Sequence, residues 1–186
     1  MHLVELGYDL VEQRGLERFR ARVYAVFGNI IMPWTRHVRA GRDLIRRAFD
    51  AANEMGDLTW WAASRSLLVG NLLASGEQLV DVQREAEDSL AFLRKVRFGL
   101  VIDIVTTQLA LIRTLRGLTP KFGCLDDGDM DELRMEHHLS SNPVLAMARV
   151  LVLDPEIASA LSCGRPYRGH GCLIEGATVA LDITFT

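Results

Sequence analysis

The chain has 186 residues, 49% of them hydrophobic and 24% charged, with a formal net charge of −3. These proportions exclude a disordered or collagen-like chain, and the near-neutral charge argues against non-specific nucleic-acid binding. Lys95 and Lys121 are its two lysines, and arginine supplies every other basic group, a bias that reads as GC-rich coding rather than as a binding adaptation. Few aromatics and much Leu, Ala and Val lean towards helices. Three cysteines, Cys124, Cys163 and Cys172, make no even framework and point to a reducing, cytoplasmic compartment.

Apolar residues recur at helical spacing up to about Arg149. Leu3, Leu6, Leu10 and Val11 form one face of a first helix, which Arg14-Gly15 ends. Glu5 and Asp9 in that helix argue against a signal peptide. Leu16, Phe19, Val23, Val26 and Phe27 mark a second helix ending near Gly28-Asn29. Pro33 fits the first turn of a third, which runs through Val38, Leu44, Ile45, Ala48, Phe49 and Ala52 to Met55-Gly56. Asp57 caps a fourth, carrying Leu58, Trp61, Ala62, Leu67 and Leu68 and yielding at Gly70 or shortly after.

A fifth helix covers residues 77–96, with Leu79, Val82, Ala86, Leu90 and Leu93 inward. The sixth, residues 99–115, is apolar nearly all round, yet Asp103, Gln108 and Arg113 make it a buried helix rather than a membrane span. Asp129 followed by Glu132 is a capping box for a seventh helix reaching Leu139, and Asn142-Pro143 opens an eighth. Trp34, Trp60 and Trp61 read as core or repeat-interface residues.

Gly15, Gly56 and Gly99 are spaced by 41 and 43 residues. The segment Asp9 to Gly15 is echoed by Asp50 to Gly56, and Phe27-Gly28-Asn29-Ile30 by Val69-Gly70-Asn71-Leu72. Two-helix repeats of this period predict an all-α fold, with stacked antiparallel helix pairs in a tetratricopeptide-like α-solenoid and an irregular C-terminal tail. The alternative is an unrelated bundle of helices of similar length.

Reactive constellations are scarce. An EF-hand loop starting at Asp127 would put Glu132 and His138 where Gly and a bidentate Glu belong, so the acidic run reads as a helix start. Cys163, His170 and Cys172, with His137 and His138, lack the paired spacing of a zinc module, although a small metal protein or enzyme using them stands as an alternative. No phosphate loop, dinucleotide fingerprint, zinc-protease motif or nucleophile elbow occurs, so no catalytic, cofactor or metal residue is assigned. Arg39, Arg42 and Arg46, at i, i+3 and i+7, share a helix face that could meet phosphate or an acidic protein partner. A solvated outer face explains them equally.

Several segments together resemble a known family: Asp9-Leu10-Val11-Glu12 with Gly15, Met32-Pro33-Trp34, Ala48-Phe49-Asp50-Ala51-Ala52, and Gly56-Asp57-Leu58. Leu73-Ala74-Ser75-Gly76, Val82 to Glu87, Thr114 to Thr119 and Phe122-Gly123 through Glu132 complete the set. They are similar to the helical region behind the ATPase module of large bacterial signalling proteins. Those proteins join a serine/threonine-kinase-like domain, an AAA/STAND-type ATPase, helical repeats, a GAF sensor and a histidine kinase. The resemblance covers residues 1–149 and implies a non-catalytic scaffold or regulatory arm working through protein or interdomain contacts, with no nucleic acid, membrane or cofactor. The helical arm of an ATP-dependent transcriptional activator is the rival within this class.

Residues 150–186 depart from that pattern. Read one base along, Val150 to Glu156 can encode C-W-Y-W-I-R-K, the aromatic helix with which the family continues. Ile157 to His170 and Glu175 to Phe185 decode to family-like segments in the same displaced frame. These residues are therefore expected to be a frameshifted tail, and the strand-like alternation of Thr178 to Phe185 carries no functional weight.

Overall fold

A computed structural model describes residues 2–120 together with Leu125, Asp131, Arg134, Met135, His137 and His138, with side chains from Leu6 onward. All regular structure among them is helical. The helices are α1 (His2–Arg14), α2 (Glu17–Val26), α3 (Arg42–Met55), α4 (Leu58–Ala74), α5 (Leu79–Val96) and α6 (Gly99–Leu115). A π-helical turn (Phe27–Ile31) and two 3-10 turns (Met32–Trp34 and Val38–Gly41) link α2 to α3.

Local chemistry accounts for the boundaries. Asp57 Oδ1 accepts from the backbone N–H groups of Thr59 and Trp60, each at 3.1 Å, so α4 begins on the expected cap. Gly56, with φ of +66°, reverses the chain after α3, while the Asp57 N–H donates back to the Ala52 carbonyl at 2.8 Å. The same closure recurs with Phe98 donating to Leu93 after α5, Glu77 to Leu72 after α4 and Leu118 to Arg113 after α6.

A 41-residue register runs through these elements. Residues with positive φ stand at Gly15, Gly56 and Arg97, and again at Gly76 and Gly117, each step being 41 residues. Glu17, Leu58 and Gly99 open the second helix of each pair at the same interval, and Arg14, Met55 and Val96 close the first. Burial follows suit: Val11, Ala52 and Leu93 are equivalent and buried, as are Ala25, Ser66 and Thr107. Helix α3 packs against α2 and α4, α5 against α4 and α6, and α4 touches both α2 and α6. Trp61 anchors the centre, its ring 5.1 Å from Phe49 and 4.2 Å from Phe92 between centroids.

Several sequence expectations change here. Gly99 opens α6, and the residue equivalent to Gly15 and Gly56 is Arg97, which adopts the left-handed conformation without being glycine. Gly28-Asn29 does not end the second helix, which continues through the π turn to Trp34. From Glu17 to Trp34 that helix holds one residue more than α4 or α6, each of 17 residues. The π turn absorbs the insertion. Pro33 lies in the first 3-10 turn and not at the start of α3, and Gly70 is inside α4. The Gly28 and Gly70 echo is not an equivalence, since 41 residues set Gly28 against Val69, both buried.

Gly28 is used for close packing. A Cβ on Gly41 would stand 1.9 Å from the Gly28 carbonyl oxygen, so the chain entering α3 crosses the end of α2 backbone to backbone. Two burial expectations also fail. Trp34 is 83% exposed because it stands at the outer end of the 3-10 turn, and Leu6 and Leu10 of α1 are exposed while Val11 is buried. The predicted seventh-helix cap, Asp129 with Glu132, lies outside the described residues; within them Asp131 Oδ1 accepts from the Arg134 N–H at 2.9 Å. The eighth helix and residues 150–186 lie outside them as well.

Candidate functional site

Arg39 belongs to the 3-10 turn Val38–Gly41, Arg42 is the first residue of α3, and Arg46 lies one turn further on. The first two converge on one carboxylate. Arg42 Nη2 donates to Glu77 Oε1 and to Ser75 Oγ, both at 2.7 Å, and Arg39 Nη2 reaches the same Glu77 oxygen at 3.0 Å. Arg42 Nε lies 3.5 Å from Asn71 Oδ1, and the buried Asn71 amide donates to the Val38 carbonyl at 2.8 Å. One guanidinium therefore ties the start of α3 to the end of α4 and the approach to α5. Its planar fork suits such multiple donation.

The Glu77 carboxyl is held below its usual range, chiefly by the Arg42 hydrogen bond and then by the charge of Arg39. With its side chain 15% exposed, Arg42 is a bracket within the fold rather than a free contact. Arg39 and Arg46 are exposed, and Arg46 takes no part in the cluster. The three arginines thus do not form one outward face. The helix assumed to carry all three is interrupted: Arg39 precedes α3, and a shared acceptor draws Arg42 inward. Glu77 and Asn71, the acceptors of this group, were not singled out from sequence; their signal was a polar residue at a helix end facing an arginine-rich segment.

A second polar group ties α1 to the next pair. Arg47 Nη2 lies 2.5 Å from Glu12 Oε1 and 3.0 Å from the Tyr24 hydroxyl, while Nη1 donates to the Tyr8 hydroxyl at 3.0 Å. The Tyr24 hydroxyl donates to Glu12 at 2.5 Å, and the Arg47 guanidinium sits 4.4 Å from the Tyr24 ring centroid. The hydrogen bond from Tyr24, followed by those from Arg47, holds the Glu12 carboxyl down. Burial and that same bond push the Tyr24 hydroxyl up. Arg65 repeats the device between α4 and α5, pairing with Glu85 at 2.8 Å. The seams between pairs are thus fastened by Arg–Glu contacts over small apolar residues.

Of the residues weighed for metal chemistry, His138 Nε2 lies 3.1 Å from Asp103 Oδ2 on α6, and His137 is exposed. Cys124, Cys163, His170 and Cys172 lie outside the described residues. Among the described residues no group of three His, Cys, Asp or Glu side chains is placed to hold a metal ion, and no helix is long and apolar enough to cross a membrane. Compared with family models, curated proteins and solved structures, the chain matches none of them.

Proposed function

We propose that the chain is a non-catalytic scaffold or regulatory arm, a tetratricopeptide-like α-solenoid acting through protein–protein or interdomain contacts in bacterial ATPase/sensor-kinase signalling. The observation that carries this reading is the 41-residue register shared by chain reversals, helix starts and buried positions. Repeats that stack this way hold a long surface rigid, and that surface binds by shape and charge rather than by reactive groups. The described polar side chains support the reading: the arginine clusters fasten one pair to the next. In this reading Arg39 and Arg46 offer charge to an acidic partner, and Arg42 holds the turn that presents Arg39.

The signalling context comes from the sequence resemblance, and so does the frameshift assignment of residues 150–186. The binding test is calorimetric titration of the full chain with the ATPase and histidine-kinase regions of a resembled parent protein. Saturable binding weakened by Arg46→Glu is expected, and no binding to either region would overturn the assignment. Nucleotide sequencing tests the tail: a family-like frame, displaced by one base near codon 150 and open downstream, is expected. Stop codons scattered through that frame would refute it.

A further inference from the structure

The link between α2 and α3 carries an aromatic and basic tip that the scaffold reading leaves unused. Trp34 is 83% exposed and Ile30, about one helical turn before it, is 53% exposed, while Met32 between them is buried. Met32 anchors the link, and its carbonyl accepts from the Thr35 and Arg36 N–H groups at 3.0 and 2.8 Å. A short, fastened turn therefore holds a large apolar ring out in water, the kind of exposure that calls for a use.

Charge is distributed to match. From Arg18 to Arg42 the chain has six arginines, one histidine and no carboxylate, although its formal net charge is −3. Arg36 and His37 follow Trp34 within three residues, and both are exposed. Arg36 forms no ion pair among the described residues. Of the acidic groups nearby, Glu77 is shared by Arg39 and Arg42, and exposed Asp43 is the first carboxylate after the run.

We propose that this tip is a peripheral membrane contact: the Trp34 ring and Ile30 enter the headgroup region of an anionic bilayer, and Arg36 and Arg39 meet its phosphates. Two features favour lipid over an acidic protein. The exposed tip comprises Ile30, residues 33–37, Arg39 and Ala40. That is well short of the roughly 20–30 residues a side of a standard protein interface. A bilayer demands no matching pocket, and an amphipathic ring beside cations is what lodges at its headgroup level. The remainder of the chain carries the net negative charge, so an anionic surface selects this end of the molecule. The resemblance implies no membrane contact, and this inference goes beyond the scaffold reading; either can fail alone.

Co-sedimentation of the full chain with vesicles of equal parts phosphatidylglycerol and phosphatidylcholine tests it, against vesicles of phosphatidylcholine alone. Binding to the anionic vesicles is expected, with little to the neutral ones, and it should weaken as salt rises. Trp34→Ala should lower the partition coefficient about tenfold or more, the scale of one large apolar side chain withdrawn from water. Arg36→Glu should lower it about fivefold or more, the worth of one arginine near an anionic surface. Arg94→Glu, the same charge change at an exposed site on α5, should leave binding nearly unchanged. All three side chains are exposed, so thermal melts should match the parent's. Absence of binding to the anionic vesicles would overturn the proposal. So would binding that Trp34→Ala and Arg36→Glu leave intact, or that Arg94→Glu weakens equally. Loss of binding to the ATPase or histidine-kinase region in Trp34→Ala, with vesicles that sediment without the chain, would overturn it too and assign the tip to an acidic protein.

Discussion

Replacing Gly41 with alanine probes the tightest crossing in the molecule. The new Cβ would lie 1.9 Å from the Gly28 carbonyl oxygen and 2.8 Å from its carbon, both backbone atoms that no rotamer change can move. An ordinary contact needs more than 3 Å, so the α2 end and the α3 entry must separate by over an ångström. Overpacking of this kind costs typically ~1–3 kcal/mol, and a rigid backbone neighbour puts this site at the upper end. Gly41 has φ of −77°, an ordinary right-handed value, so alanine itself regains up to ~1 kcal/mol through propensity. The net destabilisation is about 2 kcal/mol, or ~4–8 °C in Tm for a chain of this size. Thermal melts followed by circular dichroism measure it against Gly7→Ala, where a Cβ meets nothing within 4 Å and alanine should stabilise α1. If Gly41→Ala melts at or above the parent temperature, the backbone crossing is wrong.

Asp57→Ala removes the acceptor for two N–H groups at the start of α4 and should cost about 1 kcal/mol in urea denaturation; an unchanged midpoint would count against the cap. Arg97→Gly relieves a left-handed residue that carries a Cβ and should stabilise by about 0.5–1 kcal/mol, whereas the same exchange at exposed Arg94 inside α5 should destabilise by a similar amount. Glu12 has a depressed folded pKa, so its contribution is present above the unfolded value of about 4.3 and is lost as pH falls through the folded value. The Tm advantage of the parent over Glu12→Gln should therefore shrink on acidification below about pH 4, and parallel Tm–pH curves would show that Glu12 is not held by Tyr24 and Arg47.

Helix content was legible because period and punctuation agreed over long stretches. The α5 expectation placed Leu79, Val82, Ala86, Leu90 and Leu93 inward; the last four are buried and Leu79, at the start of the helix, is half-buried. Asp57 was readable as a cap from its place alone, one residue before an apolar run. The link from α2 to α3 was not, because glycine and proline there have uses other than stopping helices. Gly28 and Gly41 allow a crossing between elements distant in sequence, a tertiary reason that a local signal cannot carry. Gly28 and Gly70 stand 42 residues apart, one residue off the 41-residue register, so their local likeness reflected no shared place in the fold.

The arginines show the same limit on the functional side. Helical spacing placed Arg39, Arg42 and Arg46 on one face, but charge answers to its nearest acceptor. Glu77 stands 35 residues from Arg42 along the chain and takes both Arg42 and Arg39. A partner of the bracket is thus fixed by how the helices pack together and not by the helix that bears it.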